Sequence, residues 1–296
     1  MANELKANEL KINELKTNEL VADRLASSKL AFVFPGQGGG GAGKEVIATN
    51  IAQPTIFKEC METVAMLKER GIVADGVAGF SLGEVPAVAY AGLLSEEDAY
   101  DFVCYRAEVM HQATIKHKGG MMAILGLSAE AVEEVCREVD GAYPVNYNAP
   151  GQVVAAYKAE SLDSLKAAVA AVKGKCIVLP VAGAFHSPLM DDAAASVKRY
   201  LNGLESKGIE SKGLEFNQAK IPIYSNVTGK VYGQGKDIAK ELLARQVNSP
   251  VLWQATIEQM ISDGFDTFIE AGPGKVLTAM IKKIDKNVKV LNALEI

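Results

Sequence analysis

The chain has 296 residues, 49% hydrophobic and 23% charged, with a formal net charge of −5; this predicts a soluble α/β protein with one main domain and an insertion. The acidic balance, with no basic stripe, argues against a nucleic-acid-binding surface, and no apolar run approaches the roughly 18 residues that cross a membrane. The N-terminus does not read as a signal peptide, and the scattered Cys60, Cys104, Cys136 and Cys176 read as thiols in a reducing compartment, so a cytoplasmic location is expected.

Residues 1–28 form a repetitive extension with leucines at 5, 10, 15, 20, 25 and, just beyond it, 30. A five-residue step advances a helix by about 140° net, so these leucines spiral around the axis and make no single apolar stripe. A solvated extension of mixed helix and coil, with no catalytic part, is expected. From Lys29 onward strand and helix alternate. Leu30 to Phe34 reads as a buried strand, followed by the glycine-rich segment from Pro35 to Gly43, helical periodicity over 52–70, a short apolar run at 76–78, a helix from Glu84 to Ala91 and another over 96–114. Gly119-Gly120 marks a boundary. Strand 122–125, helix 129–139, strands at 143–148 and 152–156, helix 161–172 and strand 175–181 follow. This β-α-β-β-α-β order is the split-βαβ arrangement and predicts an inserted subdomain of about sixty residues. Helix 188–205, strand 221–225, helices 236–246 and 252–263, strand 267–270, a last helix and a strand near Val288 complete the pattern. Alternation of this kind implies a parallel sheet covered on both faces, with a cleft where the insertion sits.

Gly79-Phe80-Ser81-Leu82-Gly83 lies between strand and helix, the placement of a nucleophile elbow. Flanking glycines relieve crowding in the sharp turn, and the following helix N-terminus favours a developing oxyanion. Ser81 needs a base, and the chain has three histidines. His111 and His117 stand near the end of a helix among lysines and read as surface residues. His186 precedes a helix that Ser187 caps and Pro188 opens, which fits either a histidine satisfying a helix end or a general base. Arg106 falls within the apolar stripe of Ala99, Phe102, Val103 and Met110. A guanidinium there must meet an anion, either an internal carboxylate or a substrate carboxylate gripped in bidentate fashion. Gly38 to Lys44 imitates a phosphate-binding loop, but Glu45 occupies the position where Mg²⁺ needs Ser or Thr, which argues against nucleotide hydrolysis.

Phe34-Pro35-Gly36-Gln37-Gly38, Gly79 to Glu84, Arg106 with Met110, Ala184 to Met190, Ser225 to Gly229, Gln246 to Trp253 and Glu270 to Lys275 occur in order. Together they resemble the malonyl-CoA:acyl-carrier-protein transacylases of bacterial fatty-acid synthesis, over residues 30–296. The resemblance implies an α/β fold, with an α/β-hydrolase-like large subdomain (29–120 and 185–296) bearing a parallel sheet, and an inserted ferredoxin-like small subdomain (121–184). It implies malonyl transfer from malonyl-CoA to the phosphopantetheine thiol of acyl carrier protein, in ping-pong order, by a monomer needing no cofactor or metal. Ser81 would be the nucleophile, His186 its base, and the backbone N–H groups of Gln37 and Leu82 the oxyanion hole. A main-chain carbonyl near Gln246 would orient the histidine, and Arg106, Phe185 and Met110 would contact the acyl group. A serine thioesterase or hydrolase, a trans-acting polyketide-synthase acyltransferase and an idle carrier-docking module are the alternatives. Lys116, Lys118 and Lys275 are candidate carrier-protein contacts. Phe80 stands where the family usually has His, Pro86 follows the elbow closely, and the loop after Gln37 is about two residues short, a change expected to loosen the oxyanion contact.

Overall fold

In a computed structural model of the chain, the structure describes residues 28–37, 47–204 and 213–296. The leucine repeat, the glycine-rich segment from Gly38 through Glu45 and the end of the expected 188–205 helix lie outside the described residues.

Five strands form a parallel sheet. They are β1 (Leu30–Phe34), β2 (Gly76–Gly79), β7 (Ile223–Tyr224), β8 (Thr267–Glu270) and β9 (Lys289–Asn292), in the order β7-β2-β1-β8-β9. Every residue of β1 is buried because both sheet faces are covered. Alternation along the strand sends Leu30, Phe32 and Phe34 into one core and Ala31 and Val33 into the other. The first core is roofed by α1 (Thr49–Glu69), α2 (Glu84–Tyr90) and α3 (Glu96–Lys116). The second is closed by α8 (Trp253–Ser262) and α9 (Val276–Ile284), through Trp253, Ile257, Leu277 and Ile281.

Four further strands form a separate antiparallel sheet, β4-β5-β3-β6, from β3 (Gly119–Leu125), β4 (Ala142–Ala149), β5 (Gln152–Lys158) and β6 (Lys175–Val178). Its helices α4 (Ala129–Glu138) and α5 (Leu162–Ala171) bury Met122, Ile124, Val153 and Ala155 on one face. The intervening residues Met121, Ala123, Val154 and Ala156 point the other way, into the core shared with the parallel sheet. The period of two therefore makes the second face of this sheet a wall for whatever lies below it. Val251, just before α8, ties the two parts together: its N–H donates to the Val145 carbonyl at 2.8 Å, and its carbonyl accepts from Tyr147 at 2.9 Å.

Several expected boundaries shift for identifiable reasons. Gly119 and Gly120 open β3, where the chain passes from α3 into the antiparallel sheet, so that strand starts earlier than expected; Cβ atoms there would stand 2.3 Å from the Tyr157 carbonyl and 2.5 Å from its hydroxyl, so the cross-strand tyrosine requires glycine. β7 shrinks to two residues because Pro222 has no N–H and the Ser225 N–H turns to the Lys230 carbonyl. β6 ends at Val178, short of the expected bound, with one further bond to β3 from the Leu179 N–H to the Met121 carbonyl at 2.9 Å. The 188–205 helix begins as a 3-10 turn (Pro188–Met190) and continues as α6 (Asp191–Leu201); α7 is Lys236–Arg245.

Candidate active site

The site forms at the carboxyl ends of β1 and β2, where chains leaving a parallel sheet diverge. After β2 the backbone reverses so tightly that Gly83 touches the end of β1. A Cβ on Gly83 would lie 2.0 Å from the Phe34 carbonyl oxygen, and one on Gly79 would lie 1.9 Å from the Gly83 carbonyl carbon. These approaches explain the paired glycines, and they force Ser81 between them into the left-handed region at φ 53°. Asn226, in the turn after β7, holds that strained residue: its Oδ1 accepts from the Ser81 N–H at 2.7 Å, and its Nδ2 donates to the Gly79 carbonyl at 2.5 Å. A 3-10 turn (Ser81–Gly83) then runs into α2, and Pro86 falls in the first turn of that helix, where a missing N–H does least harm.

His186 sits on the segment between β6 and α6, also at positive φ (61°) and 3% exposed. Ser187 braces it, donating to the Ala184 carbonyl at 2.6 Å and accepting from the Leu189 N–H at 3.3 Å. The two ring nitrogens face different partners: Nδ1 is 2.8 Å from the Gln246 main-chain carbonyl and Nε2 is 2.7 Å from the Ser81 hydroxyl. A carbonyl can only accept, so Nδ1 carries the proton and Nε2 offers its lone pair to the serine. Burial, then the nearby Arg106 charge, push the imidazole down to a pKa of about 4, so the ring is neutral at pH 7.

Arg106 lies on the buried face of α3, which Ser95 caps by accepting from Asp98 N–H at 3.0 Å. The side chain is fully buried. Its guanidinium donates to Gln53 Oε1 at 2.5 Å, Gln246 Oε1 at 2.8 Å and, at 3.4 Å, Ser81 Oγ. All three are neutral oxygens, and Nε has no partner among the described residues. An internal ion pair, the competing expectation for this residue, does not form among the described residues: there Glu84 acts on Arg106 only through its field. Burial lowers the guanidinium to a pKa of about 10, still cationic at pH 7.

A cavity of about 220 Å³ opens over Ser81 and His186, floored by Pro35, Gly36, Gln37 and Leu82. Met110, Phe185, Met121 and Val154 make one apolar wall; Phe80, Leu277 and Met280 make another. Phe80, in place of a histidine, packs edge-on to Trp253 at 5.5 Å and turns that wall apolar. Gln37 lines the cavity beside the serine, its Nε2 3.4 Å from Thr49 Oγ1. The structure thus gathers Ser81, His186, Gln37, Leu82, Arg106, Phe185, Met110 and Gln246 around one point. His111 and His117 lie away from it, His117 beside Asp192 at 3.7 Å. Lys116 and Lys275 pair at the surface with Asp192 and Glu295, and Lys118 is exposed. Gln53, Glu84 and Asn226 join the site without a role foreseen for them. Gln53 could have been found as a polar residue on the apolar face of α1, between Ala52 and Phe57. Among the described residues no cluster of His, Cys, Asp and Glu could hold a metal ion, and no helix is long and apolar enough to cross a membrane. Chemically, the arrangement can take a proton from a serine hydroxyl and hold an anion beside it.

Comparison with known proteins agrees with this chemistry. The model of the acyl transferase domain family matches residues 8–294. A malonyl CoA-acyl carrier protein transacylase of Bacillus subtilis (strain 168) is 37% identical over 257 residues, covering 85% of this chain and 77% of that one. The crystal structure of a malonyl CoA-acyl carrier protein transacylase from Clostridium perfringens superposes with a TM-score of 0.80 at 31% identity, over 90% of this chain and 95% of that one. A malonyl-transacylase solved in complex with a type II PKS acyl-carrier protein gives a TM-score of 0.80 at 28% identity, over 90% and 95% of the two chains. With its elbow serine, buried histidine and matching fold, this chain belongs to the acyl transferase domain family.

Proposed function

We propose that this protein moves a malonyl group from malonyl-CoA to the phosphopantetheine thiol of acyl carrier protein through a malonyl ester of Ser81. One observation carries this: the Ser81 hydroxyl is 2.7 Å from a neutral imidazole and 3.4 Å from a buried guanidinium that no carboxylate of the described chain pairs with. The first contact makes a nucleophile, and the second selects an acyl group with a free carboxylate. The names of the relatives from Bacillus subtilis and Clostridium perfringens support the donor and acceptor.

In the forward half-reaction, His186 Nε2 takes the Ser81 proton as Oγ bonds to the thioester carbonyl carbon. Charge on the resulting oxyanion is met by the N–H groups of Gln37 and Leu82. Those of Ser81 and Gly83 are already bound, to Asn226 and Phe80, so Leu82 supplies the donor from the elbow. The C–S bond breaks, and the imidazolium, steadied by the Gln246 carbonyl, returns its proton to the CoA thiolate. The carrier thiol then gives its own proton to His186 and its sulfur attacks the ester carbon; the C–O bond to Ser81 breaks, and the imidazolium returns the proton to the Ser81 oxygen. Two C–C bonds span roughly 2.5 Å, so the carboxylate of a malonyl group on Ser81 comes within reach of Arg106, in exchange for the Gln53 and Gln246 oxygens. Acetyl offers no such anion, and Phe185 crowds an α-methyl group.

We further propose that the antiparallel sheet with α4 and α5 is an inserted ferredoxin-like subdomain over residues 121–184, riding on an α/β-hydrolase-like subdomain formed by 29–120 and 185–296. The strand order β4-β5-β3-β6 supports it. Four free cysteines support work in a reducing compartment, the cytoplasm.

Incubation with malonyl-CoA followed by intact-mass spectrometry tests the function. A malonyl adduct is expected on the wild type, discharged by pantetheinylated carrier protein to malonyl-carrier with little free malonate, and absent from Ser81→Ala. A folded wild type that stays unmodified refutes the proposal; free malonate as the main product would make the protein a hydrolase.

A further inference from the structure

Arg106 and Glu84 are both 0% exposed and lie within range of each other's field, yet they do not pair. Buried opposite charges normally close on one another, because each otherwise bears its desolvation cost alone. Between them stands the Gln246 side-chain amide. Its Nε2 donates to Glu84 Oε2 at 2.8 Å and to the Ser81 carbonyl at 2.5 Å, while its Oε1 accepts from Arg106 at 2.8 Å. The orientation is forced, since a flipped amide would set NH₂ against the guanidinium and oxygen against the carboxylate. Glu84 needs nothing more: the Tyr232 hydroxyl and the Asn226 N–H, at 3.4 Å, also donate to it.

We infer that the Gln246 side chain is a specificity-determining positioning residue: its amide insulates the Arg106 guanidinium from the Glu84 carboxylate and so keeps the guanidinium open for a substrate carboxylate. This rests on the proposed malonyl transfer and adds to it a part distinct from the Gln246 main-chain carbonyl, which faces His186. An arginine already in an ion pair would have to break it to receive malonyl, and the exchange of one carboxylate for another would leave little gain. An arginine held by neutral oxygens gives up weaker bonds for a charged one. Burial raises the Glu84 carboxyl to a pKa of about 7, so near neutral pH it supplies part of a compensating charge without occupying the fork.

A double-mutant cycle on the full chain tests insulation against plain structural support. The readout is the ratio of kcat/KM for acyl-enzyme formation from malonyl-CoA to that from acetyl-CoA, in wild type, Gln246→Ala, Glu84→Gln and the double variant. Damage to the serine–histidine pair lowers both acyl groups together and leaves the ratio unmoved. Gln246→Ala should lower the ratio about tenfold, mostly through the malonyl KM, as Glu84 turns to Arg106. Glu84→Gln on that background should restore it to within about threefold of wild type, because no carboxylate then remains to be kept away. If Gln246→Ala shows no melting transition, Gln246→Met takes its place in the cycle with the same expectation. A ratio unchanged in the single variant, or one that stays low in the double, overturns the inference while leaving the proposed function standing. A wild type that forms no malonyl-Ser81 overturns both.

Discussion

Arg106→Ala separates anion recognition from chemistry. In the folded protein the guanidinium is wholly buried, 3.4 Å from the Ser81 hydroxyl, and among the described residues meets only neutral oxygens. Removing it leaves the malonyl carboxylate in a slot with no cation. An unpaired buried charge costs about 3–5 kcal/mol, and each 1.4 kcal/mol is about tenfold. Water entering the vacated space recovers part of this, so the kcat/KM for malonyl-CoA should fall by roughly 10²- to 10³-fold. Acetyl-CoA presents no carboxylate, and its transfer should hold or rise. Global stability is a poor readout here, because losing the three hydrogen bonds and relieving a buried charge act in opposite directions. A second consequence is sharper. Arg106 is the second cause, after burial, of the low His186 pKa, so its removal should move the acid limb of the acylation profile upward from about pH 4. Rapid-quench measurement of acyl-enzyme formation with both thioesters, from pH 3.5 to 8, reads both effects. Equal losses for malonyl and acetyl, or an unmoved acid limb, would refute the clamp as described.

Two further outcomes follow from the same geometry. His186 acts as a base only when neutral, and its pKa is lowered from 6.5 to about 4, so wild-type acylation should hold as pH falls from 8 past 6 and halve near 4; a half-point at 6.5 in rapid-quench data would contradict the buried, Arg106-facing ring. The same lowered pKa makes the stability contributed by His186 complete above 6.5 and lost as pH falls through about 4. Gly83→Ala should abolish soluble folded protein, since its Cβ would lie 2.0 Å from the Phe34 carbonyl oxygen, whereas Gly71→Ala, with nothing within 4 Å, should cost only the roughly 1–2 kcal/mol of a left-handed alanine; denaturant melts of equal stability for the two would overturn the close-packed elbow.

Much of the fold was legible because burial imposes periods. The apolar run of β1, the stripe of α3 that enclosed Arg106 and the β-α-β-β-α-β order all survive as elements, since strand and helix repeats are local properties of the chain. The elbow was legible for a related reason: glycines at 79 and 83 record a steric demand that no other residue meets. Where neighbours in space overrode local signals, bounds moved. The strand expected over 221–225 shrinks to Ile223–Tyr224, because Pro222 has no N–H and the Ser225 N–H turns to the Lys230 carbonyl.

Residue identity alone already placed a nucleophile, a base and a buried cation in the chain, because each needs an environment that leaves a trace in its flanking residues. Which partner each one meets was beyond local pattern; the carbonyl near Gln246 was expected beside His186 only from the family resemblance. Ser81 and His186 are 105 positions apart, Arg106 and Gln246 140, and Gln246 and Glu84 162. Local pattern carries no information about such distances. That Arg106, among the described residues, meets amide oxygens in place of a carboxylate was decided only when packing brought four distant segments to the ends of two adjacent strands.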